Sequence, residues 1–360
     1  MIWKLFGGGK SKRPEPPPRD VKELVPLTPS RWTPAFVALV ACVMSDARAV
    51  EPIAAHRADP TPVAAEEVSF SNGTVQLKGV LYKPDGPGPF PVLLFNHGSA
   101  PGMLNGQAFD ILGPLFTRHG WAFFAPYRRG QGLSAGAGPY AVDVIREEQT
   151  RGIVRALPIL IVLFGVLLAV VLLTTRRQPL WVRVCAGFIV CLIGTLGVHL
   201  VSEHARATAT VHVLETDQFS DHLAAYEWLR RQGFAMPGRI ATMGNSFGGI
   251  ITVLAAERVA YCAAVDGAGG AQTWSPELSA RLVSSVRQSQ APIFIFQAEN
   301  DYTVAPTEVL SKAMREAGKP SVVKIYPAFG TSADEGHSFA WRGGDIWEAD
   351  VLRFLDAQCR

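Results

Sequence analysis

The chain has 360 residues, with 34 Lys and Arg against 31 Asp and Glu, and this near balance excludes the basic field that nucleic-acid binding requires. Its 48% hydrophobic content is high for a soluble globular chain and points to a local cause. The five cysteines form no CxxC pair, so neither a zinc site nor a disulfide framework is indicated, and Cys262 with Cys359 is left as a bridge the sequence does not decide.

Residues 1–49 open with a basic, proline-rich stretch (Lys10, Lys12, Arg13, Pro16, Pro17, Pro18) that cannot bury a core and reads as disordered. The apolar run 35–44 that follows is too short to cross a bilayer but suits a signal segment, with Ala47-Arg48-Ala49 as a small-x-small cleavage site. Leu39-Val40-Ala41-Cys42 offers a second reading, lipidation at Cys42, and a short buried helix is a third. Residues 50–66 read as a linker.

From residue 67 the pattern alternates strand and helix. Strands are expected over 75–82, 91–96 and 122–126, with a helix over 107–119 between the last two. After residue 206 the expected order is helix 217–232, strand 239–243, helix 249–257, strands 262–265 and 293–297, helix 307–317, strand 322–326 and helix 346–357. Apolar, non-alternating strands separated by helices imply a mostly parallel sheet covered on both faces, with its chemistry at the strand C-termini.

Between these halves, 156–175 carries no charge, and 184–202 has His199 as its only ionisable group. Each is long enough to be a transmembrane helix, and Arg176, Arg177 and Arg183 join them as a hairpin. Gly187, Cys191 and Gly194 recur at helical spacing and are expected to face the first helix. The expected organisation is therefore a hydrolase part at 67–152, a hairpin at 153–205 inserted at the sheet periphery, and a second part at 206–360.

Gly244-Asn245-Ser246-Phe247-Gly248 follows an expected strand and precedes an expected helix, the setting of a nucleophile elbow. Gly132-Leu133-Ser134-Ala135-Gly136 fits the same pattern without a helix immediately after it, so context selects Ser246. Of the eight histidines only His337 lies beyond Ser246, in a polar loop, and it is the expected general base. Asp301, at the end of the strand 293–297, is the expected acid, with Glu299 and Asp266 as rivals. The backbone N–H groups of Phe247 and Ser99 are the expected oxyanion donors, and His97 is expected to brace its loop.

These motifs, with Tyr127-Arg128-Arg129-Gly130-Gln131-Gly132, resemble the α/β-hydrolase superfamily, and within it the dienelactone-hydrolase-like and prolyl-oligopeptidase-like serine hydrolases. The resemblance covers residues from about 67 onward, excluding the hairpin. It implies an α/β-hydrolase fold with Ser246, Asp301 and His337 as a triad, acting on a small-molecule ester or acyl substrate without metal or organic cofactor. Dienelactone hydrolases proper carry a cysteine where Ser246 stands. A small peptidase or amidase is the alternative, and a non-catalytic membrane receptor or scaffold a third. With an N-terminal signal, the catalytic part is expected outside the cytoplasm, on an inner-membrane anchor whose arginine-rich loop is cytoplasmic.

Overall fold

The computed structural model describes residues 64–360. The expected signal segment, its 47–49 cleavage site, the Cys42 alternative and most of the linker lie outside the described residues.

The described part of the chain begins with three strands, β1 (Glu66–Asn72), β2 (Val75–Tyr82) and β3 (Phe90–Asn96). Two helices, α1 (Pro101–Leu104) and α2 (Gln107–Thr117), lead to β4 (Ala122–Pro126) and a 3-10 turn over Gly132–Ala137. Two long helices follow, α3 (Ala141–Thr175) and α4 (Leu180–Glu215), then α5 (Asp217–Leu229). The second half runs β5 (Ala235–Asn245), α6 (Phe247–Arg258), β6 (Ala264–Gly267), α7 (Pro276–Gln288), β7 (Ile293–Ala298), α8 (Ala305–Glu316), β8 (Ser321–Tyr326), α9 (Ala333–Arg342) and α10 (Gly344–Gln358).

The strands form one eight-stranded sheet in the order β1-β2-β4-β3-β5-β6-β7-β8. β2 is antiparallel to β1 and β4, and the remaining pairs are parallel. The central strands are apolar on both faces because helices cover both: Leu93 and Phe95 point into one core with Phe109 and Trp347, while Val92 and Leu94 point into another with Ile250 and Leu282. Cys262 and Cys359 are joined by a disulfide, tying the end of the chain to the segment entering β6.

Every expected strand and helix of the sheet region is present, with ends moved by a few residues. β1, α1, α7 and α9 were not expected. Ser275 caps α7 by accepting from the Leu278 N–H, and Ser332 with Glu335 forms a reciprocal capping box on α9, so these segments of low average hydrophobicity start as helices with one apolar face turned inward.

α3 and α4 pack antiparallel and contain the two apolar spans, but both continue well past them, back to Ala141 and on to Glu215. Their middle sections present large apolar side chains outward: Leu163, Leu173 and Phe188 are 61%, 65% and 65% exposed. Of the small-residue stripe, only Gly194 faces α3, where an added Cβ would sit 2.8 Å from the Phe164 ring. Gly187 has open space around it and Cys191 is exposed, so the full stripe does not form the interface.

Candidate active site

β5 ends at Asn245 and α6 begins at Phe247, so Ser246 is the single residue of the turn between them. It holds φ 57° and ψ −120°, a left-handed conformation that an L side chain adopts only when its surroundings impose it. The flanking glycines permit the turn. A Cβ at Gly244 would overlap the backbone of Gly248, and one at Gly248 would overlap the backbone of Asn96 and His97. The Ser246 N–H donates to the Gly267 carbonyl at 3.0 Å, fixing the turn against β6.

His337 sits on α9, one turn after its capping box, and not in a loop as its polar neighbours imply. Helical geometry fixes its direction: Nε2 lies 2.8 Å from Ser246 Oγ and Nδ1 lies 2.8 Å from Asp301 Oδ1. The Asp301 side chain is fully buried and the His337 side chain 13% exposed. Asp301 Oδ1 also accepts from the Tyr302 N–H at 2.7 Å, which sets the carboxylate plane, and the Tyr302 ring packs edgewise with the imidazole, centroids 5.2 Å apart. An acceptor-only carboxylate on Nδ1 leaves Nε2 free to take a hydroxyl proton.

The rival acids are elsewhere. Glu299 is exposed on the turn after β7. Asp266, at the end of β6, is buried against Gly249 and accepts from the Gly269 N–H at 2.9 Å, and burial pushes its carboxyl up to about 7. Ser134 is also accounted for, since it is buried in the 3-10 turn with its Oγ accepting from the Lys78 N–H at 2.9 Å.

Ser99 and Phe247 lie with Ser246 on one cavity of about 750 Å³. Phe247 is the first residue of α6, so its N–H has no acceptor one turn earlier in the helix. The Ser99 loop approaches the nucleophile turn closely, because a Cβ at Gly98 would lie 3.1 Å from the Asn245 carbonyl oxygen and 3.2 Å from Ser246 Cβ.

Behind this site is a buried polar layer whose roles the sequence did not disclose. The guanidinium of Arg128 donates to the His97 carbonyl at 2.8 Å and to Gln218 Oε1 at 3.1 Å, and burial pulls it down to about 10. Next to it, Asn96 donates to Thr242 and Thr252 hydroxyls at 3.1 and 2.9 Å, and its Oδ1 accepts from His222 Nδ1 at 2.7 Å. Tyr261 donates to His222 Nε2 at 2.7 Å, so His222 is neutral, with burial pulling it down to about 3. His97, buried beneath the loop that it braces, has Nδ1 2.8 Å from the Gly98 carbonyl.

Residues 197–351 match the Dienelactone hydrolase family. No curated protein matches the chain. Among solved structures, an acylaminoacyl peptidase of Pyrococcus horikoshii superposes with a TM-score of 0.50 at 14% identity, covering 83% of this chain and 42% of that one. A puromycin-hydrolyzing peptidase of Mycobacterium tuberculosis gives 0.50 at 15% identity, covering 82% and 40%. An esterase of Pyrococcus furiosus gives 0.49 at 11% identity, covering 84% and 96%. The chain thus spans about two fifths of the length of the two peptidases. The fold is that of an α/β-hydrolase, and the family match makes the second half of the chain similar to dienelactone hydrolases.

Proposed function

We propose that this protein is a membrane-anchored serine esterase that works through an acyl-enzyme. The observation that carries the reading is the unbroken series Asp301 Oδ1, His337 Nδ1, His337 Nε2, Ser246 Oγ, with both gaps at 2.8 Å. In this reading Ser246 Oγ attacks the ester carbonyl as its proton passes to His337 Nε2, and the tetrahedral oxyanion sits against the Phe247 and Ser99 N–H groups. The carbon–oxygen bond to the alcohol then breaks, with His337 returning the proton to the leaving oxygen. Water, deprotonated by the same nitrogen, attacks the acyl-enzyme and frees the acid and Ser246. Asp301 holds the imidazole tautomer and balances its transient charge.

The anchor is α3 and α4. Their outward apolar side chains would leave a large apolar surface in water, and each span is long enough for a bilayer core of about 30 Å. Two crossings return the chain to the side on which it started. We take the turn carrying Arg176 and Arg177, with Arg183 in the first turn of α4, as cytoplasmic and the catalytic body as extracytoplasmic.

Ser246→Ala in the full chain should abolish both p-nitrophenyl ester turnover and labelling by a fluorophosphonate probe. Labelling retained by that variant sinks the assignment. Parallel assays with an anilide of the same acyl group separate an esterase from an amidase, and a folded wild-type chain that neither labels nor turns over substrate points to the receptor reading.

A further inference from the structure

The cavity that holds Ser246 is not closed by the hydrolase body alone. Val142, Ile145, Arg146 and Gln149 of α3 line it, together with residues of α4 that include Ala207 and Thr210, and with Trp274 from the segment before α7. The α3 residues are spaced i, i+3, i+4, i+7, and Ala207 and Thr210 of α4 i, i+3, so each set occupies one helix face. These are the same helices that carry the apolar spans, and neither is interrupted between cavity and span. From Gln149 to the first residue of the uncharged stretch, Ala156, is a rise of about 10 Å at 1.5 Å per residue.

The walls are fixed in place. Gln149 Nε2 donates to Ser202 Oγ at 2.9 Å, joining α3 to α4 where the cavity gives way to the span. His204 Nδ1 lies 2.7 Å from Glu277 Oε1, and Glu215 accepts from Arg281 Nε at 2.6 Å, tying α4 to α7 at two levels. Leu214 packs in the same buried cluster as Ile250 and Leu278. α4 therefore seats the hairpin on the body and α3 rests on α4, and a chain lying along α3 from the carbonyl position at Ser246 runs toward the bilayer.

From this we infer the substrate class: an ester of a long acyl chain resident in the bilayer, with its carbonyl at headgroup level, whose chain leaves Ser246 along the Val142, Ile145 face of α3. The inference rests on the serine-esterase reading and adds to it that the hairpin selects the substrate. Val142, Ile145 and Trp274 supply apolar contact, while Arg146, Glu203, Arg206 and Glu277 line the same cavity with charges of both signs, which suit an ester bearing a zwitterionic headgroup. A mixed lining of this kind suits an amphiphile better than a wholly apolar or wholly charged ligand.

The test uses the full chain reconstituted in phosphatidylcholine vesicles, with p-nitrophenyl acetate in solution and p-nitrophenyl palmitate in the bilayer. The leaving group is shared, so the ratio of kcat/KM values reads the acyl-chain wall and not the chemistry. The wild-type ratio of palmitate to acetate is expected to exceed about ten, and Ile145→Trp or the milder Val142→Phe to lower it about ten-fold, the scale on which an apolar pocket discriminates. Palmitate placed in the same vesicles as the enzyme should also be consumed faster than palmitate in separate vesicles. A wild-type ratio of one or less, or equal rates from the two vesicle arrangements, overturns the inference while Ser246-dependent acetate turnover leaves the esterase reading standing. No Ser246-dependent turnover of either ester overturns both.

Discussion

The guanidinium of Arg128 lies 5.3 Å from the centre of the Phe247 ring while one of its nitrogens donates to the His97 carbonyl at 2.8 Å. One buried cation thus touches both segments that carry the proposed oxyanion donors, the loop reaching Ser99 and the first turn of α6. Replacing Arg128 with Met leaves the His97 carbonyl without its donor and the ring without its cation. We expect kcat for p-nitrophenyl acetate to fall by about ten- to a hundred-fold with KM little changed, somewhat less than the loss of an oxyanion donor itself. Arg128→Lys should recover only part of this, since an ammonium cannot span His97 and Gln218 together. Equal losses in kcat and in folded protein would show a structural role alone.

Asp301 and Glu299 are two residues apart and only one meets His337. Asp301→Asn should lower kcat by about three to four orders of magnitude, because the amide can stabilise the wrong imidazole tautomer. Glu299→Gln should stay within about two-fold, as expected for a solvated surface group. Steady-state kinetics on the two variants distinguish the placements directly.

Three buried groups near the site link stability to pH in opposite senses. His222, pulled down to about 3, and His97, pulled well below its usual value, bind fewer protons folded than unfolded, so their contribution is lost as pH falls below the ordinary histidine range. Asp266, pushed up from 3.8 to about 7, binds more protons folded than unfolded, so its contribution is lost as pH rises across that interval. Asp266→Asn removes the opposing member. Its stability should therefore fall on acidification between about pH 7 and 4 more steeply than that of the wild type, by on the order of 1 kcal/mol per pH unit. Denaturant titrations in mild detergent at several pH values measure the difference, and parallel curves would contradict it.

The Cys262–Cys359 disulfide closes a loop with a sequence separation of 97. Cys359→Ser should lower stability by roughly 2–4 kcal/mol through the freer unfolded chain. Thiol alkylation of the unreduced, unfolded wild type should modify Cys185 and Cys191 and spare Cys262 and Cys359, and modification of the latter pair would contradict the bond.

The parts of this fold legible in the sequence are those where burial leaves a local imprint. Leu93, Leu94 and Phe95 announce a strand covered on both faces, and Gly244 and Gly248 announce a turn that tolerates no side chain beside Ser246. The proposed triad could be read from chain order, because His337 is the last histidine and Asp301 lies just past a buried strand. What escaped had no such imprint. The helix under His337 is polar, and its signature was the short Ser332, Glu335 capping pair. The charges from Arg146 to Arg155 mark where apolarity stops, not where helix stops, so the extension of α3 and α4 into the cleft was invisible to hydropathy. Arg128 stood out only as part of a motif, and its buried polar surroundings, with His222 and Tyr261 nearby, form across elements far apart in the chain.

The hairpin stands in sequence between β4 and β5, and β5 lies between β3 and β6 in the sheet. Val92 of β3 pairs with Ile240 of β5 across the whole insertion, and Ser99 reaches the turn of Ser246 from the other side of it. In a chain whose hairpin enters a bilayer, the first half is therefore made with one edge of β3 still unpaired until both helices have been inserted and the second half has followed. Biogenesis then has an order: insertion comes first, closure of the sheet second, and a competent nucleophile last.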